Sequence, residues 1–154
     1  MTTICTDGIS LAADGRVHSD GTRVRDDEKK IMVRGGVIYA LGGVTCLFDP
    51  LIKWVTDGAD PEKIPKGDLR WQLLVITRTA FVTYSNTCPY AERQDYPFTT
   101  GSGRDVAYGA MKAGKSPREA VAIAAEDDLY TGGEIQVVNI AEALGLAPIK
   151  EAAE

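Results

Sequence analysis

The chain has 154 residues, of which 44% are hydrophobic and 25% are charged, and this predicts one domain with one hydrophobic core, spanning residues 1–154. Its net charge of −5 disfavours nucleic acid as a partner. Three scattered cysteines and one histidine disfavour a disulfide scaffold, a zinc site and a His-based triad, so we expect no metal and no cofactor. The chain shows no apolar run of about 18 residues and no signal-peptide pattern, so we expect a cytoplasmic protein that binds no membrane.

The first half of the chain predicts two β-hairpins and a helix. Asp7-Gly8 lies between two apolar runs and predicts a tight turn in which both positions have positive φ. Pro50 lies inside the predicted helix and either kinks it or marks its start. The predicted elements are strands Thr2–Thr6, Ile9–Ala13, Lys30–Val33 and Val37–Leu41, a turn at Arg34-Gly35-Gly36, a helix over Val44–Thr56 and a connector over Ala59–Asp68.

The second half predicts a further strand pair, two helices and a last strand. Ser116-Pro117-Arg118-Glu119 is a capping box with proline at the first helical position, and it predicts a helix that runs to about Leu129. The other predicted elements are strands Trp71–Thr77, Ala80–Tyr84 and Glu134–Ile140, a polar loop over Asn86–Pro97, a helix over Asp105–Ala113 ended by Gly114, and a frayed or docked tail over 141–154. Two sheets that both need cover predict an α+β fold, a four-layer α-β-β-α sandwich.

Three residues near the start of the chain have the chemistry of a self-activating nucleophile. Once Met1 is removed, Thr2 carries both a hydroxyl and a free α-amine, that is, a nucleophile with its own base. A nearby Lys30 ammonium favours the alkoxide and keeps the amine neutral. Asp14 would hold that ammonium charged if the pair is buried. Thr2, Lys30 and Asp14 are therefore the predicted catalytic centre.

Several segments, in the same order along the chain, resemble the motifs of proteasome β-type subunits. The resemblance covers roughly residues 2–140 and is nearest to the bacterial HslV peptidase group, with a stand-alone or phage-type relative as an alternative. The segments are Thr2-Thr3-Ile4-Cys5, Leu11-Ala12-Ala13-Asp14-Gly15-Arg16, Lys29-Lys30-Ile31, Leu41-Gly42-Gly43, Gly101-Ser102-Gly103 with Ala107-Tyr108-Gly109, and Asp128-Leu129-Tyr130-Thr131-Gly132-Gly133.

The resemblance implies the N-terminal nucleophile hydrolase fold and a supporting set of residues around Thr2. The Gly42 N–H is the predicted oxyanion donor, since a Gly-Gly pair after a strand lets backbone approach the scissile carbonyl. Ser102, Asp128 and Thr131 resemble the family's shell around the N-terminal amine. One family helix between the second hairpin and Trp71 is missing from the predicted elements, so one sheet face should be thinly covered.

The resemblance also implies a substrate-binding region. It places Val17, Glu28, Ala40 and Val44 around the pocket for the residue before the cleaved bond, with Ala40 at its floor. Leu41, next to Ala40 in the sequence, is also predicted to belong to the substrate-binding region. His18 falls on the strand that pairs with substrate backbone, and its side chain is predicted to be solvated. A Glu28 carboxylate on the pocket wall predicts a bias toward Lys or Arg, whereas a solvated Glu28 would have no influence.

Together these observations predict a threonine-type peptidase that hydrolyses peptide bonds in unfolded polypeptides inside an oligomeric chamber. The family assembles stacked rings, so the resemblance implies a homo-oligomer, with an ATP-dependent unfoldase as a candidate partner. Two alternatives stay open at this point. One is an inactive ring or scaffold subunit that never exposes Thr2, and the other is a small-molecule amidase of the same superfamily.

Overall fold

The computed structural model describes residues 2–65, 67 and 69–146. The strands are β1 (Thr3–Thr6), β2 (Ser10–Ala13), β3 (Val17–Ser19), β4 (Thr22–Arg25), β5 (Ile31–Arg34), β6 (Val37–Gly43), β7 (Trp71–Ile76), β8 (Phe81–Ser85), β9 (Glu92–Arg93), β10 (Phe98–Gly101) and β11 (Gln136–Asn139). The helices are α1 (Phe48–Thr56), α2 (Arg104–Lys112), α3 (Pro117–Asp127) and α4 (Ile140–Ala143), with short 3-10 turns at Thr45–Leu47 and Pro61–Lys63.

Two antiparallel sheets form the centre of the molecule. The first has the strand order β10-β1-β2-β11, and the second has the order β5-β6-β7-β8-β9. Because side chains alternate along a strand, Ile38 and Ala40 of β6 face the first sheet, whereas Tyr39 and Leu41 face away from it. The core between the sheets also includes Ile4, Leu11, Ala13, Ile31, Leu74, Ile76 and Phe81.

Helices cover the outer face of each sheet, so the predicted α-β-β-α sandwich is confirmed. Helices α2 and α3 pack on the first sheet through small side chains such as Ala107, Ala120 and Ala124. Helix α1 packs on the second sheet through Phe48, Leu51, Ile52 and Trp54. Among the described residues, α1 is the one α-helix between β6 and β7, as the sequence predicted.

Two of the four Asp-Gly pairs of the chain, Asp7-Gly8 and Asp20-Gly21, connect strands that pair with each other, and they form different turns. At Asp7-Gly8 only Gly8 has positive φ, and Thr6 pairs with Leu11, so the connection is longer than the predicted two-residue turn. Asp7 is instead an acceptor for the backbone N–H groups of Ile9 and Ser10. The second pair, Asp20-Gly21, does have positive φ at both positions and joins β3 to β4, a hairpin that the sequence analysis did not predict.

Most other elements lie within a few residues of their predicted bounds. The second hairpin, the β7–β8 pair, α2 and the capping box of α3 are all present. Pro50 lies in the first turn of α1 and marks the helix start. The sequence analysis missed β9 and β10, extended α3 to Leu129 and started the last strand at Glu134.

The chain beyond β11 packs on its own core over the residues that can be described. Ile140 begins α4 rather than ending a strand, and Ile140 and Leu144 are buried in the inter-sheet core. Residues 141–146 are therefore ordered and not frayed, and the remaining part of the tail predicted over 141–154 lies outside the described residues. Within the described part of the chain, no helix combines the length and the apolar character that crossing a membrane requires.

Gly101 and Gly114 give a matched test of how tightly β10 packs on the first residues of the chain. Both have a left-handed φ, +99° and +96°, but a Cβ at Gly101 would lie 1.5 Å from the Thr2 carbonyl oxygen, whereas one at Gly114 would meet nothing within 4 Å. We expect Gly101→Ala to lower the free energy of unfolding by about 3 kcal/mol or more, because strain and overpacking add. Gly114→Ala should cost only about 1 kcal/mol, from backbone strain alone. Urea unfolding of both variants provides the measurement, and equal losses would contradict the tight packing of Gly101.

Candidate active site

Asp14 is a fully buried carboxylate at the end of β2, and both of its oxygens accept several hydrogen bonds. Oδ1 accepts from the Thr3 N–H (3.0 Å), from Lys30 Nζ (2.9 Å) and from the Thr2 hydroxyl, and Oδ2 accepts from the Gly132 N–H (3.0 Å) and the Arg16 N–H (3.3 Å). Burying a charge is costly unless it is paired and hydrogen-bonded, and Asp14 meets both conditions. The pair that Asp14 forms with Lys30 is therefore a buried ion pair and not an ordinary surface one.

Lys30 is the buried partner of Asp14, and all three ammonium donors have acceptors. Nζ donates to Asp14 Oδ1, to the Arg16 carbonyl (2.7 Å) and to Thr2 Oγ. Burial lowers the pKa of Lys30, and the negative charge of Asp14 opposes that shift only in part. Lys30 therefore loses its proton more readily than a solvated lysine, while its ammonium form can stabilise negative charge on Thr2 Oγ.

Gln136 fixes the backbone from which Lys30 extends. Its Oε1 accepts from the Lys30 and Ile31 N–H groups at 3.1 and 3.0 Å, and its Nε2 donates to the Ile31 carbonyl at 2.8 Å. Gln136 lies on β11, so this side chain ties the edge of the first sheet to the start of β5 in the second. The sequence analysis did not single out Gln136, because its neighbours there are more than a hundred residues away in the chain.

Thr2 lies in the cleft between the two sheets, next to Gly42. Its side chain is almost fully buried, and its carbonyl accepts from the Ser102 N–H at 2.9 Å. A Cβ placed on Gly42 would come within 3.1 Å of the Thr2 methyl group, so the absence of a side chain there leaves space beside Thr2. The structure thus brings Gly42 beside Thr2, which the predicted oxyanion role requires.

A chain of hydroxyl groups connects the first strand to Asp128. The Gly103 N–H donates to Thr3 Oγ (3.0 Å), Thr3 Oγ lies 2.6 Å from Thr131 Oγ, and Thr131 donates to Asp128 Oδ2. Ser102 Oγ also donates to Asp128 Oδ2. The structure therefore joins Ser102, Asp128 and Thr131 in one network, and it adds Thr3, which the sequence analysis did not identify.

The surroundings of Asp128 favour its ionised form. Partial burial raises the pKa of Asp128, but hydrogen bonds from Ser102, Thr131 and the Tyr130 N–H outweigh that effect, so the net pKa lies below the usual value. Asp128 ends α3 as its C-terminal capping position instead of being a solvated helix residue. The result is a fixed negative charge close to the N-terminal strand.

Three of the predicted substrate-binding residues line a common cavity. Val17, His18 and Val44 border a space of about 470 Å³ that also touches Lys30. Ala40 and Leu41 do not border it. Ala40 is fully buried in the inter-sheet core, and Leu41 faces α1, because alternate residues of β6 point to opposite sides of the sheet.

Glu28 and His18 differ from their predicted surroundings. The Glu28 carboxylate pairs with Arg25 instead of standing on the cavity wall, since Arg25 Nε donates to Glu28 Oε2 at 2.7 Å. The predicted preference for Lys or Arg before the cleaved bond required a Glu28 carboxylate on the cavity wall, and Glu28 does not border that cavity. The predicted solvation of His18 is wrong, because its ring packs edge-on against Tyr130 at 5.1 Å and both ring nitrogens are shielded from solvent.

A second cavity, of about 530 Å³, borders Thr2 itself. It is bordered by Thr100, Gly101 and Ser102 on one wall and by residues of β7 and the end of β8 on the other. Gly43 and Arg70 border both cavities. Thr2 therefore borders the cavity that reaches Ser102, and this cavity shares two lining residues with the one that reaches Lys30. Within the described residues, no cluster of three or more His, Cys, Asp or Glu side chains is placed to hold a metal ion.

Comparison with known proteins supports the fold at low sequence identity. No protein-family model and no curated protein matches the sequence. The crystal structure of eukaryotic HslV from Trypanosoma brucei matches with a TM-score of 0.66 and 15% identity, covering 90% of this chain and 98% of that chain. Thiobacillus denitrificans BPH matches in complex with epoxomicin (TM-score 0.66, 20% identity, 90% and 98% coverage) and without it (0.61, 19%, 90% and 97%). The chain therefore has an HslV/proteasome-like fold, as its sequence motifs predicted.

Proposed function

We propose that this chain is a threonine-type peptidase whose nucleophile is Thr2 after removal of Met1. The observation that carries the proposal is the buried contact of the Thr2 hydroxyl with both Lys30 Nζ and Asp14 Oδ1. A hydroxyl held between an ammonium and a carboxylate, at the border of a cavity of about 530 Å³, is arranged for attack on a bound carbonyl. The HslV/proteasome-like fold supports the same assignment.

The proposed reaction begins with proton transfer from Thr2 Oγ to the free α-amine of the same residue. Oγ then attacks the scissile carbonyl carbon, and the Lys30 ammonium stabilises the developing negative charge on Oγ. The carbonyl oxygen becomes an oxyanion, which the Gly42 N–H stabilises. Asp14 holds Lys30 in its charged form during this step.

Collapse of the tetrahedral intermediate breaks the carbon–nitrogen bond, and the α-ammonium returns its proton to the leaving amine. An acyl ester on Thr2 remains. The neutral amine next removes a proton from water, which attacks the ester and regenerates the hydroxyl. In this scheme Asp128, kept ionised by Ser102 and Thr131, stabilises the transient α-ammonium.

The proposal extends to assembly, substrate and location. Large apolar side chains are well exposed on the isolated chain, with Ile9 at 71%, Tyr90 at 64% and Leu129 at 80% exposure. Surfaces of this kind favour burial against further copies. We infer a homo-oligomeric ring or stacked rings that enclose Thr2, act on unfolded polypeptides in the cytoplasm, and have an ATP-dependent unfoldase as a candidate partner.

The first prediction concerns Thr2. Thr2→Ala should abolish peptide hydrolysis while leaving the fold intact, with a moderate loss of thermal stability because Lys30 and Asp14 each lose one buried hydrogen-bond partner. Epoxomicin, present in one structure of the Thiobacillus protein, should form a covalent adduct on protein released with Thr2 as its first residue. Intact-mass spectrometry detects this adduct. Protein that carries an extension before Thr2 serves as the control and should stay unmodified, and full activity of Thr2→Ala would refute the assignment.

The second prediction concerns the buried ion pair. Lys30→Ala should lower kcat/KM by about a hundredfold to ten-thousandfold, the range seen when a proton-transfer group is lost. Asp14→Asn should follow, because the pKa of Lys30 falls further once the neighbouring charge is removed. Asp49→Asn breaks the exposed Arg34–Asp49 pair and is the matched control, with activity expected at the wild-type level. Wild-type turnover in the Lys30 and Asp14 variants would assign the pair a purely structural role.

The third prediction concerns assembly. Size-exclusion chromatography with light scattering should give a mass several times that of the 154-residue chain at micromolar concentration. Chemical cross-linking followed by denaturing electrophoresis should show a ladder that ends at the ring size. A monomer by both methods would argue against an enclosed chamber.

A further inference from the structure

We propose that the cavity on the Ser102 side of Thr2 binds a carboxylate group of the leaving half of the substrate, between Arg70 and Arg104. This inference rests on the proposed peptidase function and adds a substrate class to it. It concerns the cavity of about 530 Å³, a volume within the range of specific ligand sites.

The charge of this cavity is one-sided. Arg70 and Arg104 both border it, and no Asp or Glu does so among the described residues. Its other side chains near Thr2 are neutral hydrogen-bonding groups, including Gln72, Asn86 and Thr100. The whole chain carries a net charge of −5, so the charge of this cavity, as its described residues give it, is opposite in sign to that of the chain. Guanidinium groups in such a setting attract carboxylates through charge-assisted hydrogen bonds.

Close backbone packing holds both arginines beside the nucleophile. A Cβ on Gly43 would come within 2.3 Å of the Arg70 carbonyl oxygen, so Arg70 is fixed against the end of β6. Arg104 begins α2 directly after Gly103, whose N–H donates to Thr3 Oγ at 3.0 Å. The two side chains therefore start from positions that cannot move away from Thr2 without breaking the local fold.

The groups around Arg104 leave it available for a ligand. The only close carboxylate described for Arg104 is that of Asp105, at 3.8 Å, and this carboxyl is 97% exposed, so the pair is weak. Asn86 accepts from the Trp71 N–H through Oδ1 at 3.0 Å, which leaves its amide N–H groups as the remaining polar function. The cavity thus offers donors, the complement of a carboxylate.

The cavity lies on the side where the leaving amine should depart. It is bordered by Gly101 and Ser102, and Ser102 donates to Asp128, the carboxylate assigned to the transient α-ammonium. That ammonium delivers its proton to the leaving nitrogen, so the leaving half must pass on this side. The acyl half then occupies the other cavity, which borders Lys30. The carboxylate recognised here is either an acidic side chain soon after the cleaved bond or the C-terminal carboxylate of a short leaving peptide.

The test uses quenched fluorescent peptides that share one acyl half. Amide-capped peptides carry Glu, Gln or Lys at the first, second or third position after the cleaved bond, and a further peptide carries Gln with a free C-terminal carboxylate. We expect kcat/KM to be about five- to tenfold higher for Glu than for Gln at one of these positions, or for the free carboxylate over the amide, as a charge-assisted contact would give. Lys should be the poorest residue.

Paired variants assign the preference to the cavity. The double substitution Arg70→Gln with Arg104→Gln should bring the Glu/Gln ratio, or the carboxylate/amide ratio, close to one. Arg118→Gln removes an exposed arginine from α3, away from the cavity, and should keep the wild-type ratio. A preference that survives the double substitution, or equal rates for all peptides, overturns the inference while leaving the peptidase function intact.

A binding measurement separates this inference from failure of the proposed function. Isothermal titration calorimetry on the Thr2→Ala protein compares Ala-Glu-Ala amide, Ala-Gln-Ala amide and Ala-Gln-Ala with a free carboxylate. Tighter binding of a carboxylate-bearing peptide, lost in the double arginine variant, supports the site even when no peptide is hydrolysed. Equal affinity of the three peptides overturns it.

Discussion

The buried pair of Lys30 and Asp14 is the interaction on which the rest of the site depends. Two buried charges must pair with each other, and their remaining hydrogen-bond donors and acceptors need partners in the protein. Removing one member of such a pair typically lowers the free energy of unfolding by about 3–5 kcal/mol. Asp14 meets this demand with backbone N–H groups from three segments, and Lys30 meets it with the Arg16 carbonyl and the Thr2 hydroxyl. Thr2, the proposed nucleophile, is therefore one of the hydrogen-bond partners of the pair, so the stability of the pair and the proposed reactivity both depend on its hydroxyl.

Sheet topology explains how residues distant in the chain meet at this point. Asp14 and the Gly132 N–H are 118 positions apart, yet β2 pairs directly with β11, and the loop before β11 returns to the end of β2. The side chain of Gln136, on β11, then hydrogen-bonds the backbone at the start of β5 and so links the two sheets. Strand pairing and one bridging amide thus set the geometry of the candidate site, and the connecting loops supply further hydrogen-bonding groups such as the Arg16 carbonyl and the Gly132 N–H.

Much of the fold could be read from the sequence, because apolar alternation, glycine turns and a capping box act locally. The β3–β4 hairpin was not predicted, because all four residues of Thr22–Arg25 are exposed and the segment shows no alternation of apolar and polar residues. At the site, Thr2, Asp14 and Lys30 could be found from side-chain chemistry. The contributions of Thr3 and Gln136 could not, because each acts through contacts more than a hundred residues away. The misplaced Ala40 and Leu41 reflect which face of β6 each occupies, a property of packing that motif spacing does not encode.

A chain terminus is ordinarily the part of a protein that frays first, yet here the terminal strand β1 has a hydrogen-bonded neighbour on each side. We therefore expect the backbone amides of Thr3 to Thr6 to exchange slowly with solvent, because releasing this strand requires breaking its pairing with both neighbours. The position of Thr2, the proposed nucleophile, thus depends on the cooperative stability of the whole sheet. Conditions that lower the global stability of the domain should therefore change the position of Thr2 relative to Lys30 and Asp14, even where no residue of the site is substituted.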